Sequence, residues 1–178
     1  MMVYNLVESS VMSDILEIYE QVKTLGLSYN NVRQEIKNIW FSYKFNQVYD
    51  KNAHYNSHRD KALEIINEII DDSIINLDRK AADIKGNLDA ETIRQICRDH
   101  GIIFSVDAMC RGGLVLSDVK DKRNNLSHGT ISFVECGRDY SLEELVIIKD
   151  ESILFLNGLL EGMRNYYDGQ QYLLSEAQ

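Results

Sequence analysis

The chain contains no proline among its 178 residues. Proline is the strongest breaker of a helix interior, so its absence favours long uninterrupted helices. Cysteine is scarce as well. Cys97, Cys110 and Cys136 are odd in number and widely spaced, which fits neither a disulfide framework nor a paired-cysteine zinc site. Three reduced, mostly buried thiols in a cytoplasmic protein is the reading they favour. No run approaches the roughly 18 consecutive apolar residues of a membrane span. The first residues lack a basic stretch followed by an apolar core, so no secretion signal is expected. Positive charge is also in deficit, with 19 Lys and Arg against 28 Asp and Glu for a net charge of −9. That balance argues against a general nucleic-acid binder, whose affinity rests on a broad basic face.

What is present is ordinary globular composition, 44% hydrophobic and 26% charged, and not the signature of disorder. The length predicts a single domain over residues 1–178, large enough to bury about two-thirds of its unfolded surface. Neither an internal repeat nor a low-complexity tail is visible in the sequence.

Apolar periodicity predicts mostly helix. Tyr4, Val7, Val11, Ile15, Ile18, Val22 and Leu25 recur at three- and four-residue steps, predicting a helix over residues 2–25 with Gly26 just beyond its end. A second helix is expected from near Ser28, carrying Val32, Ile36, Ile39, Trp40, Tyr43 and Phe45, followed by a polar connection over 46–56. Ser57 could cap a third helix whose Leu63, Ile66 and Ile70 share a face. Residues 73–88 read either as a continuation of that helix or as an irregular connection. Asp89 reads as the N-cap of a helix that Gly101 stops. The run from Gly101 to Ser105 is apolar and β-branched enough for a short extended piece. Gly112-Gly113 marks a turn or a close helix contact, because no strand and no third glycine make it a dinucleotide loop. Residues 130–140 read as a loop or short hairpin. Ser141-x-x-Glu144 then opens, as a capping box, a long helix from Leu145 to about Leu174 with room for a break near Lys149. Gly158 and Gly162, four apart in it, allow close helix packing.

Chemistry concentrates between residues 111 and 128. Arg111, Lys120, Lys122 and Arg123 against Asp118 and Asp121 make this stretch net +2 on an acidic chain, suited to a short, local phosphate contact. Arg123, Asn124 and His128 fall within six residues, and Gly129 follows. Arginine holds phosphate through two parallel charge-assisted hydrogen bonds. Histidine both takes and gives a proton near neutrality. Together they could cleave a phosphodiester with no metal ligand nearby. On an ideal helix, however, residues five apart diverge by about 140° and rise about 7.5 Å. Either the helix ends before His128, as Gly129 permits, or a second copy of the chain supplies part of the site. On spacing alone, the pair reads rather as a surface arginine bound to an acid and a histidine at a helix C-terminus. Leu114, Val115, Val119 and Leu126 are the expected buried side of this helix.

Supporting roles are open to Lys120, Lys122, Ser127 and Ser132. Glu8, beside the stripe of the first helix, is either a solvated residue or an acid aimed at the motif. His54 and His58 are four apart but lack a third ligand, so no metal site is expected.

The stretch "VKDKRNNLSHGTISFVECGRDYSLEEL" resembles the motif region of HEPN domains (higher eukaryotes and prokaryotes nucleotide-binding), whose signature is Arg, four to six residues, then His, often with a polar residue directly after the Arg. Arg123, Asn124 and His128 match it at the four-residue spacing. The opening "YNLVESSV" and the later "CGRDYSLEEL" look like one bacterial branch of that superfamily, so the resemblance spans nearly the whole chain. It implies an all-α bundle of four to five main helices with the motif helix between the first and the last. It further implies a metal- and cofactor-independent endoribonuclease acting as a homodimer, with two motifs facing each other. His128 would be the general acid or base, Arg123 the stabiliser of phosphate charge, and Asn124 the residue that orients one of them. Such enzymes commonly serve as toxins or in antiphage defence, often restrained by an antitoxin or other partner protein. The alternative is a non-catalytic HEPN module that binds a nucleotide or a partner. In one HEPN group a tyrosine two residues past the His is modified. Thr130 stands there in this chain, which speaks against that route.

Overall fold

In a computed structural model of the chain, which describes residues 1–46 and 55–174, the fold is all-α. Among the described residues seven α-helices follow one another: α1 (Met2–Thr24), α2 (Gln34–Asn46), α3 (Tyr55–Ile70), α4 (Ala90–His100), α5 (Val115–Ser127), α6 (Phe133–Arg138) and α7 (Leu142–Asp168). A 3-10 turn, Ala108–Gly113, leads into α5. Six of these helices have eleven residues or more, one beyond the expected four to five.

The centre is a three-way packing of α1, α5 and α7, with α2 laid against α4 at one side. α1 contributes the predicted stripe, with Val11, Ile15 and Val22 fully buried. α7 answers with Phe155, Leu159 and Tyr166, and α5 with Val115 and Leu116. Each such aliphatic side chain stabilises the fold by about 1.5–3 kcal/mol relative to exposure. The motif helix packs against both the first helix and the last, which also touch each other directly.

The caps fall where small polar residues and glycine stand. Asp89 accepts a hydrogen bond from the Thr92 N–H at 2.9 Å, and Gly101 closes α4 in the left-handed conformation. Ser141 and Glu144 form the reciprocal capping box of α7. Beyond α1, Gly26 turns the chain at φ +66°.

Several expectations need correction. α2 begins at Gln34 and not near Ser28, because residues before it pair elsewhere: Ser28 bridges to Ile74 and Val32 to Leu173. α3 starts before Ser57, which is therefore inside the helix and not its cap. The face of α3 turned inward carries Ile65 and Ile69, while Leu63, Ile66 and Ile70 are exposed. Two apolar stripes compete on that helix, and periodicity does not say which one meets the body. Of the two readings open for residues 73–88, the structure takes the irregular connection.

Residues 102–107 form no helix and pair with no strand among the described residues. Instead this segment lies across α7, where the absent side chains of Gly158 and Gly162 leave room for the backbone of Ile103–Val106. The glycine pair thus admits an extended strap and not a second helix. Gly113 serves the same end on the other side, with Phe155 packed where its side chain would stand. α7 runs unbroken past Lys149 and ends at Asp168. The expected loop or hairpin after the motif contains α6, opened by a second capping box, Ser132 with Glu135. On α5 the buried residues are Val115 and Leu116; Val119 and Leu126 are half-buried and Leu114 is exposed.

Candidate active site

α5 is moored by its cations before it offers any to a ligand. Lys120 Nζ lies 2.7 Å from Asp89 Oδ2, the carboxylate that also caps α4. Burial opposes ionisation of Asp89, but the Lys120 ammonium and the Thr92 N–H and hydroxyl outweigh it and hold the carboxyl at about 2. Lys122 Nζ pairs with Asp139 at 2.5 Å and lies over the Tyr140 ring. Arg111 forms a two-pronged pair with Glu151 of α7, both contacts at 3.0 Å. Of the four bases in this stretch, Arg123 alone has no carboxylate partner among the described residues. The net +2 is thereby reduced to a single guanidinium open to an anion.

Arg123 is nonetheless held. Its guanidinium lies over the Tyr4 ring, 4.9 Å from the centroid, a distance at which ring quadrupole and cation attract. Its Nη1 donates to Asn124 Oδ1 at 3.0 Å, and Asn124 Nδ2 in turn donates to Asn87 Oδ1 at 2.5 Å. The Tyr4 hydroxyl accepts from the backbone N–H groups of Asn87 and Leu88, at 2.6 and 3.1 Å. One edge of the guanidinium is fixed, leaving the Nε and Nη2 donors for a bidentate anion.

His128 follows the last residue of α5. The helix closes at Ser127, yet His128 keeps right-handed helical dihedrals, φ −86° and ψ −3°, and its N–H still bonds to the Asn124 carbonyl at 2.9 Å. Gly129, at φ +70°, makes the turn one residue later. Arg123 and His128 therefore keep their helical divergence, and the His128 imidazole is exposed without a hydrogen-bond partner among the described residues.

The remaining candidates are placed as follows. The Ser127 hydroxyl turns back to the Asn124 carbonyl at 2.9 Å, and Ser132 caps α6. Glu8, half-buried on α1 one turn past Tyr4, lies beside the Gly86 turn and forms no hydrogen bond or ion pair with Arg123 or His128. His54 lies outside the described residues, and no group of three His, Cys, Asp or Glu able to hold a metal occurs among those described. Sequence reasoning missed Tyr4 and Asn87. The Gly86-Asn87 pair signals a left-handed turn, but nothing local ties it to a residue on α5.

A cavity of about 440 Å³ opens directly beside Arg123, with Val119, Leu126, Phe133 and Tyr140 in its largely apolar wall. It continues into an exposed apolar band on α6 and the start of α7, comprising Phe133, Val134, Leu142, Leu145 and Ile147.

The chain is thus an all-α bundle with Arg123, Asn124 and His128 at the C-terminal end of α5. The model of the MAE_28990-like HEPN family matches residues 1–172, and the chain belongs to that family. No curated protein and no solved structure matches it.

Proposed function

We propose that the protein is a metal-independent endoribonuclease acting as a homodimer, with Arg123, Asn124 and His128 at its site. HEPN domains are often ribonucleases, and the observation that carries the reading here is the state of Arg123. In a stretch where every other base is matched to an acid, this one is oriented and left open.

In the reaction, the ribose 2′-oxygen attacks phosphorus as its proton passes to a base. The bond from phosphorus to the 5′-oxygen then breaks as an acid protonates the leaving oxygen. The products are a 2′,3′-cyclic phosphate and a 5′-hydroxyl. Arg123 stabilises the charge that grows on the phosphate oxygens. One histidine cannot be base and acid in the same step, and each chain brings one His128 to the motif. Two copies related by a twofold axis supply both. The apolar band on α6 and α7 adjoins the Arg123 cavity, and such an exposed patch suits burial against a second copy. By the family resemblance, its role would be that of a toxin or an antiphage defence protein under the restraint of a partner protein.

The test is cleavage of RNA by purified protein in EDTA. His128→Ala should lower the rate by about 10²–10⁴, the range for loss of a general acid–base group. Specific activity should rise with concentration through the monomer–dimer transition. Failure to cleave any RNA would leave a module that binds a nucleotide or a partner.

A further inference from the structure

Both supports of Arg123 lead back to one residue. The Tyr4 hydroxyl, whose ring lies under the guanidinium, accepts from the Asn87 N–H at 2.6 Å. The Asn124 amide, whose oxygen receives Arg123 Nη1, donates its Nδ2 to Asn87 Oδ1 at 2.5 Å. Asn87 stands at φ +79° directly after Gly86. That is the left-handed region, where asparagine is among the few tolerated side chains other than glycine. The turn thus points a side-chain acceptor and a backbone donor at α5 and α1 from a single position.

We propose that Asn87 is a positioning residue for the Arg123–Asn124 pair, fixing the Asn124 amide with its oxygen toward Arg123 and the Tyr4 ring beneath the guanidinium. Its consequence for catalysis rests on the ribonuclease reading. The amide of Asn124 has two faces that differ only in which atom meets Arg123. With Oδ1 inward it accepts from the guanidinium; with Nδ2 inward it sets donor against donor. The donor-only guanidinium favours the first arrangement, and Asn87 Oδ1, by accepting from the outward Nδ2, holds the amide in it. A free arginine side chain carries considerable rotamer freedom, and a fixed partner removes part of the ordering that anion binding would otherwise require.

Two substitutions separate the side chain from the turn. Asn87→Gly keeps the left-handed backbone and its N–H to Tyr4 but removes the acceptor. Asn87→Asp keeps an acceptor at the same place. The Asn124 side-chain amide signals, followed by ¹H–¹⁵N NMR on the free full-length protein, should shift in Asn87→Gly and return toward the wild-type position in Asn87→Asp. In RNA cleavage, Asn87→Gly should lower kcat/KM by about three- to tenfold, the range one hydrogen bond supports. It should have no further effect when Asn124 is already alanine. Unchanged Asn124 signals in Asn87→Gly would overturn the proposal, as would an equal loss in the Asn124→Ala background. If the wild-type protein cuts no RNA, the ribonuclease reading fails while the amide signals still decide the role of Asn87.

Discussion

The Arg123 guanidinium rests over the ring of Tyr4, although α1 and α5 bring the two from distant parts of the chain. The ring and the hydroxyl of Tyr4 have separable jobs. Tyr4→Phe leaves the ring in place but strips the acceptor from the Asn87 and Leu88 N–H groups. It should cost about 1–3 kcal/mol in urea denaturation, as for the buried Leu88 donor left unsatisfied, and lower cleavage by no more than the severalfold loss of Asn87→Gly. Tyr4→Leu removes the ring too, and its cleavage should fall well below that of Tyr4→Phe. Equal cleavage by the two would mean that the ring does not hold Arg123.

Lys120 and Arg123 lie on the same helix and should respond in opposite ways. Lys120 is engaged with Asp89 at a site where both side chains are about one-fifth exposed, 20% and 22%. Lys120→Ala should lower stability by about 1 kcal/mol and leave cleavage near wild type. Arg123→Ala should abolish cleavage while shifting stability by about 1 kcal/mol or less, the range for a partly exposed cation over a ring. Urea midpoints and single-turnover rates on the two variants check both halves.

Glycine substitutions test the strap that crosses α7. Alanine favours a helix over glycine by about 1 kcal/mol, so Gly137→Ala, which meets nothing within 4 Å, should be neutral or stabilising. Gly158→Ala drives a methyl into the Ser105 carbonyl oxygen, and Gly162→Ala into Phe104. Both should lose stability despite the better propensity, by about 1–3 kcal/mol as for an overpacked core. A more stable Gly158→Ala would mean that the strap does not lie there.

His100 gives the fold a pH dependence near neutrality. It is buried, with one ring nitrogen 2.7 Å from the Ile96 carbonyl and the other 2.7 Å from the Tyr19 hydroxyl. Since a carbonyl only accepts, Nδ1 carries the proton and Nε2 accepts from Tyr19. Burial pushes its pKa below the ordinary 6.5, outweighing the Ile96 carbonyl and the Asp99 carboxylate, which act the other way. The unfolded chain therefore binds the proton more readily. The stability from neutral His100 is complete above about 6.5 and is lost as pH falls toward the lower folded value. Asp89 contributes only further down, between its ordinary 3.8 and about 2. Urea midpoints should decline from pH 7 to 5, and His100→Gln should flatten that decline. An unchanged slope in the variant would assign it to another group.

The parts of this architecture carried by local chemistry were legible in the sequence. Asp89, Gly101 and the Ser141–Glu144 box mark helix ends because capping is settled by residues within one turn. The Ser132–Glu135 box has the same form, but the helix it opens is only six residues long, too short for apolar periodicity to mark. What depends on a distant neighbour was not legible. Which stripe of α3 faces inward, and what lies on Gly158 and Gly162, is decided by segments far away in the chain. The family resemblance singles out the motif residues, but not their setting. That Lys120 and Lys122 are tied to acids while Arg123 is open depends on Asp89, Asp139 and Tyr4, none of which the motif names.

The central claim is a ribonuclease site completed by two copies of the chain. It is tested most directly by titrating wild-type protein with His128→Ala at constant total concentration and measuring RNA cleavage in EDTA after the subunits have exchanged. If both histidines of a dimer are needed, activity follows the square of the wild-type fraction, and an equal mixture retains about one quarter. Activity proportional to the wild-type fraction, about one half at the same point, would place a complete site in each chain, and no cleavage by the wild-type protein would contradict the account altogether.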